Sequence, residues 1–233
     1  MTILGCDVSK WQGRMDWKQA IQSGIKFAIC RAGSIDNTTG NLYMDDQFIW
    51  NAETASSLIP TGFYWYFRPN HDPIRQAEYF ASLLANKTYS IPPMLDVEEH
   101  SDMTGVGLRS AIRTCLDTLD ALTGHVPGVY TSPGFWNIYV AKKLTYAWDR
   151  YPLWIASWDV SRPMIPNGWR DYRIWQYTVS NNGRFYGAES AEIDLDQWNI
   201  SYPFPIQDKI VYLPFVVRGQ GIRITIEPDE DQE

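Results

Sequence analysis

The chain has 233 residues and a formal net charge of -7, and 45% of its residues are hydrophobic. This length is enough for one large domain with a substantial core, and α/β barrels commonly fill this range as a single unit. The negative charge argues against nucleic acid or an anionic membrane surface as the main partner, because no basic stripe is present to neutralise phosphates.

Strand-like and helix-like runs alternate along the first 143 residues. The hydrophobic pattern predicts five strands, at 3–8, 26–31, 61–67, 92–98 and 128–131. A helix is predicted after each of them, at 16–23, 45–58, 72–85, 107–122 and 134–143. Three more strands, at 153–158, 173–178 and 192–198, lack convincing helices between them. The order predicts an α/β fold, a modified TIM-like (β/α)5(β)3 barrel over residues 1–200.

Residues 201–233 are predicted to form a C-terminal extension that is too small to be a domain of its own. Two predicted strands, 209–217 and 222–226, are joined by a glycine-containing turn and indicate a β-hairpin, which an acidic tail follows. The hairpin could pack on the barrel or pair its edge with another copy of the chain.

The N-terminal residues lack the basic flank and long apolar run of a signal peptide. We therefore expect synthesis in the host cytoplasm and another route to any extracellular target. The three cysteines, Cys6, Cys30 and Cys115, lack metal-site spacing. A bridge between Cys6 and Cys30 is conceivable on neighbouring strands, but buried free thiols are favoured.

Two acids end the fourth predicted strand. Side chains alternate along a strand, so Asp96 and Glu98 point the same way. Two adjacent acids are costly to ionise together, which separates their pKa values and allows one to act as an acid while the other stays a carboxylate. Glycosidic bond cleavage requires this division of labour.

Other acids are predicted at the same end of the barrel. Asp7 ends the first strand, and Asp194 and Asp196 lie on the last, which is its neighbour once the barrel closes. Functional residues of such barrels gather at the C-terminal ends of the strands. We therefore expect these acids to meet at one mouth and to form a catalytic site.

The chain contains 11 Trp and 14 Tyr residues, whose flat faces suit sugar rings. Strand alternation is expected to turn about half of the aromatic candidates into the core. The substrate-binding candidates near strand ends are Tyr64, Tyr66, Tyr130, Trp154, Trp158, Trp175 and Gln176.

A metal site is the competing interpretation of the fourth strand. Asp96, Glu98 and His100 stand at i, i+2 and i+4, but no further histidine lies at a predicted strand end. A catalytic metal normally takes ligands from other strands as well. We therefore predict no metal and no cofactor.

Eight short motifs occur in a specific order. They are GCDVSKWQG (5–13), DW (16–17), GFYWY (62–66), LDVE (95–98), GVYT (128–131), LWIA (153–156), WQY (175–177) and IDLD (193–196). Together they resemble the family-25 glycoside hydrolases, the Chalaropsis-type lysozymes that bacteriophages often use as endolysins. The resemblance covers about the first 200 residues.

The resemblance implies a flattened (β/α)5(β)3 barrel that cleaves the β-1,4 bond between N-acetylmuramic acid and N-acetylglucosamine in peptidoglycan. By position, Glu98 corresponds to the general acid. Asp96 corresponds to the residue that positions the reacting sugar, and Asp7 and Asp194 to supporting acids. It also implies a phage or prophage lysin that acts on the bacterial cell wall after release.

Two positions depart from the family pattern: Trp65 replaces a common His, and Asp196 replaces a common Asn. Two alternatives remain open at this point. One is an N-acetylglucosaminidase or chitinase-like hydrolase, and the other is a non-catalytic glycan-binding protein on the same barrel.

Overall fold

The computed structural model describes residues 2–143 and 147–205. The predicted hairpin and acidic tail, and any self-association through them, lie outside the described residues. Within the described part, eight strands close into a barrel. A ninth strand, β3, pairs with the end of β2 beyond the closed ring. The strands are β1 (Ile3–Val8), β2 (Phe27–Ile35), β3 (Leu42–Met44), β4 (Thr61–Tyr66), β5 (Met94–Asp96), β6 (Gly128–Thr131), β7 (Leu153–Ala156), β8 (Ile174–Ser180) and β9 (Ile193–Trp198).

The barrel closes because β1 pairs in parallel with β2 and antiparallel with β9. The strands from β1 to β8 that form the barrel run parallel, while β9 runs antiparallel to both of its neighbours. The start of β9, and not its end, therefore lies at the mouth formed by the C-terminal ends of the other strands. The predicted barrel of alternating strands and helices is confirmed. Its last strand, β9, runs in the direction opposite to the other barrel strands.

Five α-helices in the described part of the chain cover the barrel or its connections: α1 (Trp17–Gln22), α2 (Phe48–Thr54), α3 (Pro73–Leu84), α4 (Gly105–Thr123) and α5 (Pro133–Phe135). The side chain of Asp16 accepts a hydrogen bond from the Gln19 N–H and caps α1. Asp72 caps α3 in the same way. The fifth predicted helix is wrong in form, because α5 is a single turn that continues as a π-helical turn at Trp136–Val140.

Strand alternation builds two cores. One set of side chains, including Phe27, Tyr64 and Trp154, fills the barrel. The other, including Cys30 and Trp65, packs between the barrel and its helices. All three cysteines are buried and free. No helix among the described residues is both long and apolar enough to cross a bilayer.

Candidate active site

An open cleft of about 310 Å³ lies at the C-terminal ends of the parallel strands. It brings together side chains that are up to 187 positions apart in sequence, from Asp7 on β1 to Asp194 on β9. Ten of the eleven predicted site residues line it, namely Asp7, Tyr64, Tyr66, Asp96, Glu98, Tyr130, Trp154, Trp158, Gln176 and Asp194.

Trp175 is the predicted binding residue that does not line the cleft. Its side chain is 8% exposed and packs in the core between barrel and helices. Its indole N–H donates to the Ser157 carbonyl at 2.7 Å. Trp175 lies next to Gln176 on β8, so alternation turns it away from the cleft, and this part of the expectation is corrected.

Asp96 is the last residue of β5, and Glu98 lies just beyond the strand. Val97 between them is fully buried, while both acids line the cleft. Burial raises the pKa of Asp96 well above its ordinary value, and the charge of Glu98 raises it further. The guanidinium groups of Arg31 and Arg68 oppose both effects. Two acids in this setting retain one proton over a wider pH range than isolated carboxyl groups would.

Glu98 has a more polar setting. Burial raises its pKa, but a hydrogen bond from the Tyr66 hydroxyl and the charge of Arg68 lower it. Arg68 itself lies over the Tyr66 ring, 4.5 Å from the ring centroid, and forms an ion pair with Glu99. The charge of Glu99 is therefore neutralised by Arg68 outside the cleft. Glu98 forms no ion pair among the described residues and lines the cleft.

The reversal of β9 sets the depth of its two acids. Asp194 stands opposite Asp7 in the register of β1 and β9, and Asp196 stands opposite Gly5, one layer deeper. Burial and the charges of Glu192 and Glu98 raise the pKa of Asp194 to about 6. Asp196 is fully buried and accepts a hydrogen bond from the Trp154 indole N–H at 2.8 Å.

Gln176 connects the floor of the cleft to its walls. Its Nε2 donates to Asp7 Oδ2 at 2.7 Å. Its Oε1 accepts from the Tyr130 hydroxyl and from the Trp158 indole N–H, each at 2.9 Å. One amide therefore fixes two aromatic side chains relative to an acid.

Sequence reasoning missed a buried ion pair beside these acids. Arg31 on β2 lines the cleft, and its Nε donates to Asp45 Oδ2 at 2.6 Å. The pairing joins residues 14 positions apart across the β2–β3 hairpin. The strand-end position of Arg31 was a usable signal, but the hairpin that returns the chain to it was not predicted.

Trp11 was also missed. It lies in a 3-10 turn, Lys10–Gln12, directly after β1, lines the cleft and is 71% exposed. An aromatic residue in a polar turn that follows an acid-bearing strand end was the available signal. Trp11 and Trp158, which is 52% exposed, offer two accessible flat faces beside the acids.

The alternative interpretation was a metal site on the fourth predicted strand. In residues 2–143 and 147–205, no three His, Cys, Asp or Glu side chains lie close enough together to bind a metal ion. His100 instead stacks on Tyr139, with ring centroids 4.1 Å apart. His100 therefore points away from Asp96 and Glu98, because the regular alternation of the strand ends with β5 at Asp96.

A closed α/β barrel with carboxyl groups and exposed aromatic faces in one cleft is an arrangement typical of glycoside hydrolases. The family model described as "Glycosyl hydrolases family 25" matches residues 6–187. The chain belongs to glycosyl hydrolase family 25, and the expected family is confirmed.

Known relatives agree with this assignment. "Lysozyme M1" of Streptomyces globisporus is 30% identical over 212 residues, covering 84% of this chain and 68% of that protein. The "N,O-diacetylmuramidase" of Chalaropsis sp is 29% identical over 202 residues, covering 78% of this chain and 93% of that protein. The crystal structure of the bacterial lysozyme from Streptomyces coelicolor matches with a TM-score of 0.73 and 28% identity, covering 85% of this chain and 93% of that chain.

Proposed function

We propose that the protein is a muramidase that hydrolyses the β-1,4 bond between N-acetylmuramic acid and N-acetylglucosamine in bacterial peptidoglycan. The observation that carries the proposal is the pair Asp96 and Glu98 in one aromatic-walled cleft, with the pKa of both raised. Membership of family 25 and relatives named lysozyme and N,O-diacetylmuramidase support it.

In the proposed reaction, Glu98 protonates the leaving glycosidic oxygen as its bond to the anomeric carbon breaks. Water supplies the hydroxyl group of the new reducing end and returns a proton to Glu98. Asp96 accepts a hydrogen bond from the 2-acetamido N–H of the reacting sugar, which favours the carboxylate form of Asp96 and leaves the shared proton on Glu98. Asp96 lines the cleft, which places its carboxyl group at the surface that a bound sugar would contact. Asp7 and Asp194 support the site from the floor and the opposite wall.

Product analysis tests the bond that is cut. We expect digestion of purified peptidoglycan to release fragments with reducing-end muramic acid, detected by mass spectrometry after borohydride reduction. Reducing-end glucosamine derivatives would instead identify an N-acetylglucosaminidase. Binding to walls without release of reducing ends would identify a glycan-binding protein.

We also propose that the protein is made in the host cytoplasm and reaches the wall after release. The match to the CTP1L endolysin, with a TM-score of 0.68 and 25% identity, supports this lysin-like role. Fractionation of producing cells before and after membrane disruption, followed by wall-clearing assays, tests it.

Tyr66→Phe should move the alkaline limb of activity to higher pH. The Tyr66 hydroxyl donates to Glu98 and so favours the ionised carboxylate. Without that bond the pKa of Glu98 rises, and the general acid stays protonated to a higher pH. A pH profile of kcat/KM measures the shift, with Tyr89→Phe, outside the cleft, as control. A limb that stays in place or moves to lower pH contradicts the proposed role of Glu98.

Trp11→Ala should weaken substrate binding, because Trp11 offers its exposed face to a sugar ring. We expect KM on solubilised glycan to rise by about 2- to 10-fold, the range for one aromatic contact of about 0.5–1.5 kcal/mol. The matched control is Phe185→Ala, which removes another exposed aromatic side chain outside the cleft. Equal effects of the two variants would remove Trp11 from the binding surface.

A further inference from the structure

Two carboxyl groups, Asp7 at the floor of the cleft and Asp196 one layer below it, lie close together. They are on neighbouring strands, 6% and 0% exposed, and within hydrogen-bonding reach of each other. Within residues 2–143 and 147–205, no cationic side chain forms an ion pair with either group. Two carboxylates in contact inside a low-dielectric core repel each other strongly, so such a pair keeps a proton.

The hydrogen-bond donors around the pair lead to the same conclusion. An indole N–H can only donate, so Trp154 makes Asp196 Oδ1 an acceptor. Asp196 Oδ2 is buried and has no donor from the described chain. Asp7 Oδ2 already accepts from Gln176. The contact between the two carboxyl groups therefore joins two acceptors unless one of them carries a hydrogen.

The orientation of Gln176 follows in the same way. The Trp158 indole N–H requires an acceptor, so Gln176 must present Oε1 to it and to the Tyr130 hydroxyl. Its Nε2 then faces Asp7 and needs a fixed acceptor there. An Asp7 side chain repelled by an ionised Asp196 would not supply one.

We propose that Asp196 is a positioning residue: it shares one proton with Asp7 and thereby fixes Gln176, which orients Tyr130 and Trp158 in the cleft. This inference rests on the proposed function, because Tyr130 and Trp158 matter as walls of a glycan-binding cleft. It gives a role to the aspartate at position 196, where the family pattern commonly has an asparagine. The pair works with one proton between its two carboxyl groups.

The groups that interact electrostatically with the pair are acids, tyrosines and thiols from seven strands: Cys6, Cys30, Tyr64, Asp96, Tyr130, Tyr177 and Asp194. Arg31 also lines the cleft, but its guanidinium is paired with Asp45. Burial, the first cause, and the negative charges of Asp194 and Asp96 raise the pKa of Asp7. Burial also raises the pKa of Asp196 well above its ordinary value.

The sign of the pH effect follows from these raised values. The folded chain binds the shared proton more tightly than the unfolded chain does. Stability therefore falls as pH rises from about 4, the ordinary aspartate range, toward the raised pKa of the pair. For one proton, the folding equilibrium constant falls by up to about tenfold per pH unit in this window.

Two variants at position 196 test the proposal. Asp196→Asn keeps an acceptor for Trp154 and gives Asp7 a permanent N–H donor, so no proton is needed. We expect the logarithm of its folding equilibrium constant to decline less steeply with pH than that of the wild type. The two slopes should differ by about one unit per pH unit, which corresponds to one bound proton. Asp196→Ala removes the contact, and we expect kcat/KM to fall about tenfold, mainly through KM, while Asp196→Asn recovers most of the loss.

Urea unfolding across pH and steady-state kinetics provide the two readouts. Glu78→Gln, an exposed acid on α3 far from the cleft, is the matched control for loss of one charge. Equal pH slopes in wild type and Asp196→Asn would overturn the shared proton, and equal kinetic losses in Asp196→Asn and Asp196→Ala would overturn the positioning role. A wild type without wall-cleaving activity would refute the proposed function, whereas the unfolding slopes would still report on the pair.

Discussion

Replacing Glu98 by glutamine should lower peptidoglycan hydrolysis by about 10²-fold or more, the usual scale of lost general acid catalysis. Glutamine nearly matches the shape of glutamate and can still accept from the Tyr66 hydroxyl, but it has no proton to give to the leaving oxygen at working pH. The loss should therefore appear in kcat, with KM little changed. Clearing of wall suspensions and reducing-sugar release measure the effect.

The matched control is Glu78→Gln on α3, which removes one exposed acid far from the cleft. It should clear walls at the wild-type rate, and both variants should unfold at the wild-type urea concentration. Full activity of Glu98→Gln would remove Glu98 from the reaction. A loss of activity with a matching loss of stability would point to folding as the cause.

Replacing Arg31 by methionine should destabilise the fold by about 3–5 kcal/mol, the cost of removing one partner from a buried ion pair. The side chains of Arg31 and Asp45 are 9% and 0% exposed. Methionine fills much of the same volume, but Asp45 keeps its charge. Among the described residues it then keeps two side-chain hydrogen bonds, from the backbone N–H groups of Lys10 at 3.2 Å and Gln47 at 2.9 Å. Urea unfolding near neutral pH measures the loss.

An exposed ion pair provides the comparison. Arg150 pairs with Asp120, but its side chain is 56% exposed, so Arg150→Met should cost less than about 1 kcal/mol. Adding Asp45→Asn to Arg31→Met should recover part of the stability, because the unpaired charge is then gone. A loss below about 1 kcal/mol for Arg31→Met alone would mean that water already reaches Asp45.

Most of the barrel could be predicted from periodicity. β1 and β6 have the predicted bounds, and the parallel strands that follow helices were all anticipated. The acids at strand ends were found for the same reason, since a (β/α) unit fixes which end of a strand faces the mouth. The aromatic residues at alternating positions, Tyr64 and Tyr66, followed from the strand that carries them.

Three features escaped prediction because long-range pairing decides them. The direction of β9 depends on a connection of 12 residues without a helix, a type that favours antiparallel return. The short strand β3 pairs with the end of β2, a contact that the local hydrophobic pattern does not reveal. The placement of Trp175 depended on which of two adjacent residues faces inward, and an error of one residue reverses the face.

The buried thiols of Cys6, Cys30 and Cys115 have a practical consequence. Burial raises the pKa of each thiol, so little thiolate is present, and none is accessible to reagents from solvent. A single cysteine introduced at an exposed position, such as Val106, which is 75% exposed, should therefore be the one that maleimide dyes modify. The native protein thus needs no cysteine removal before fluorescent labelling.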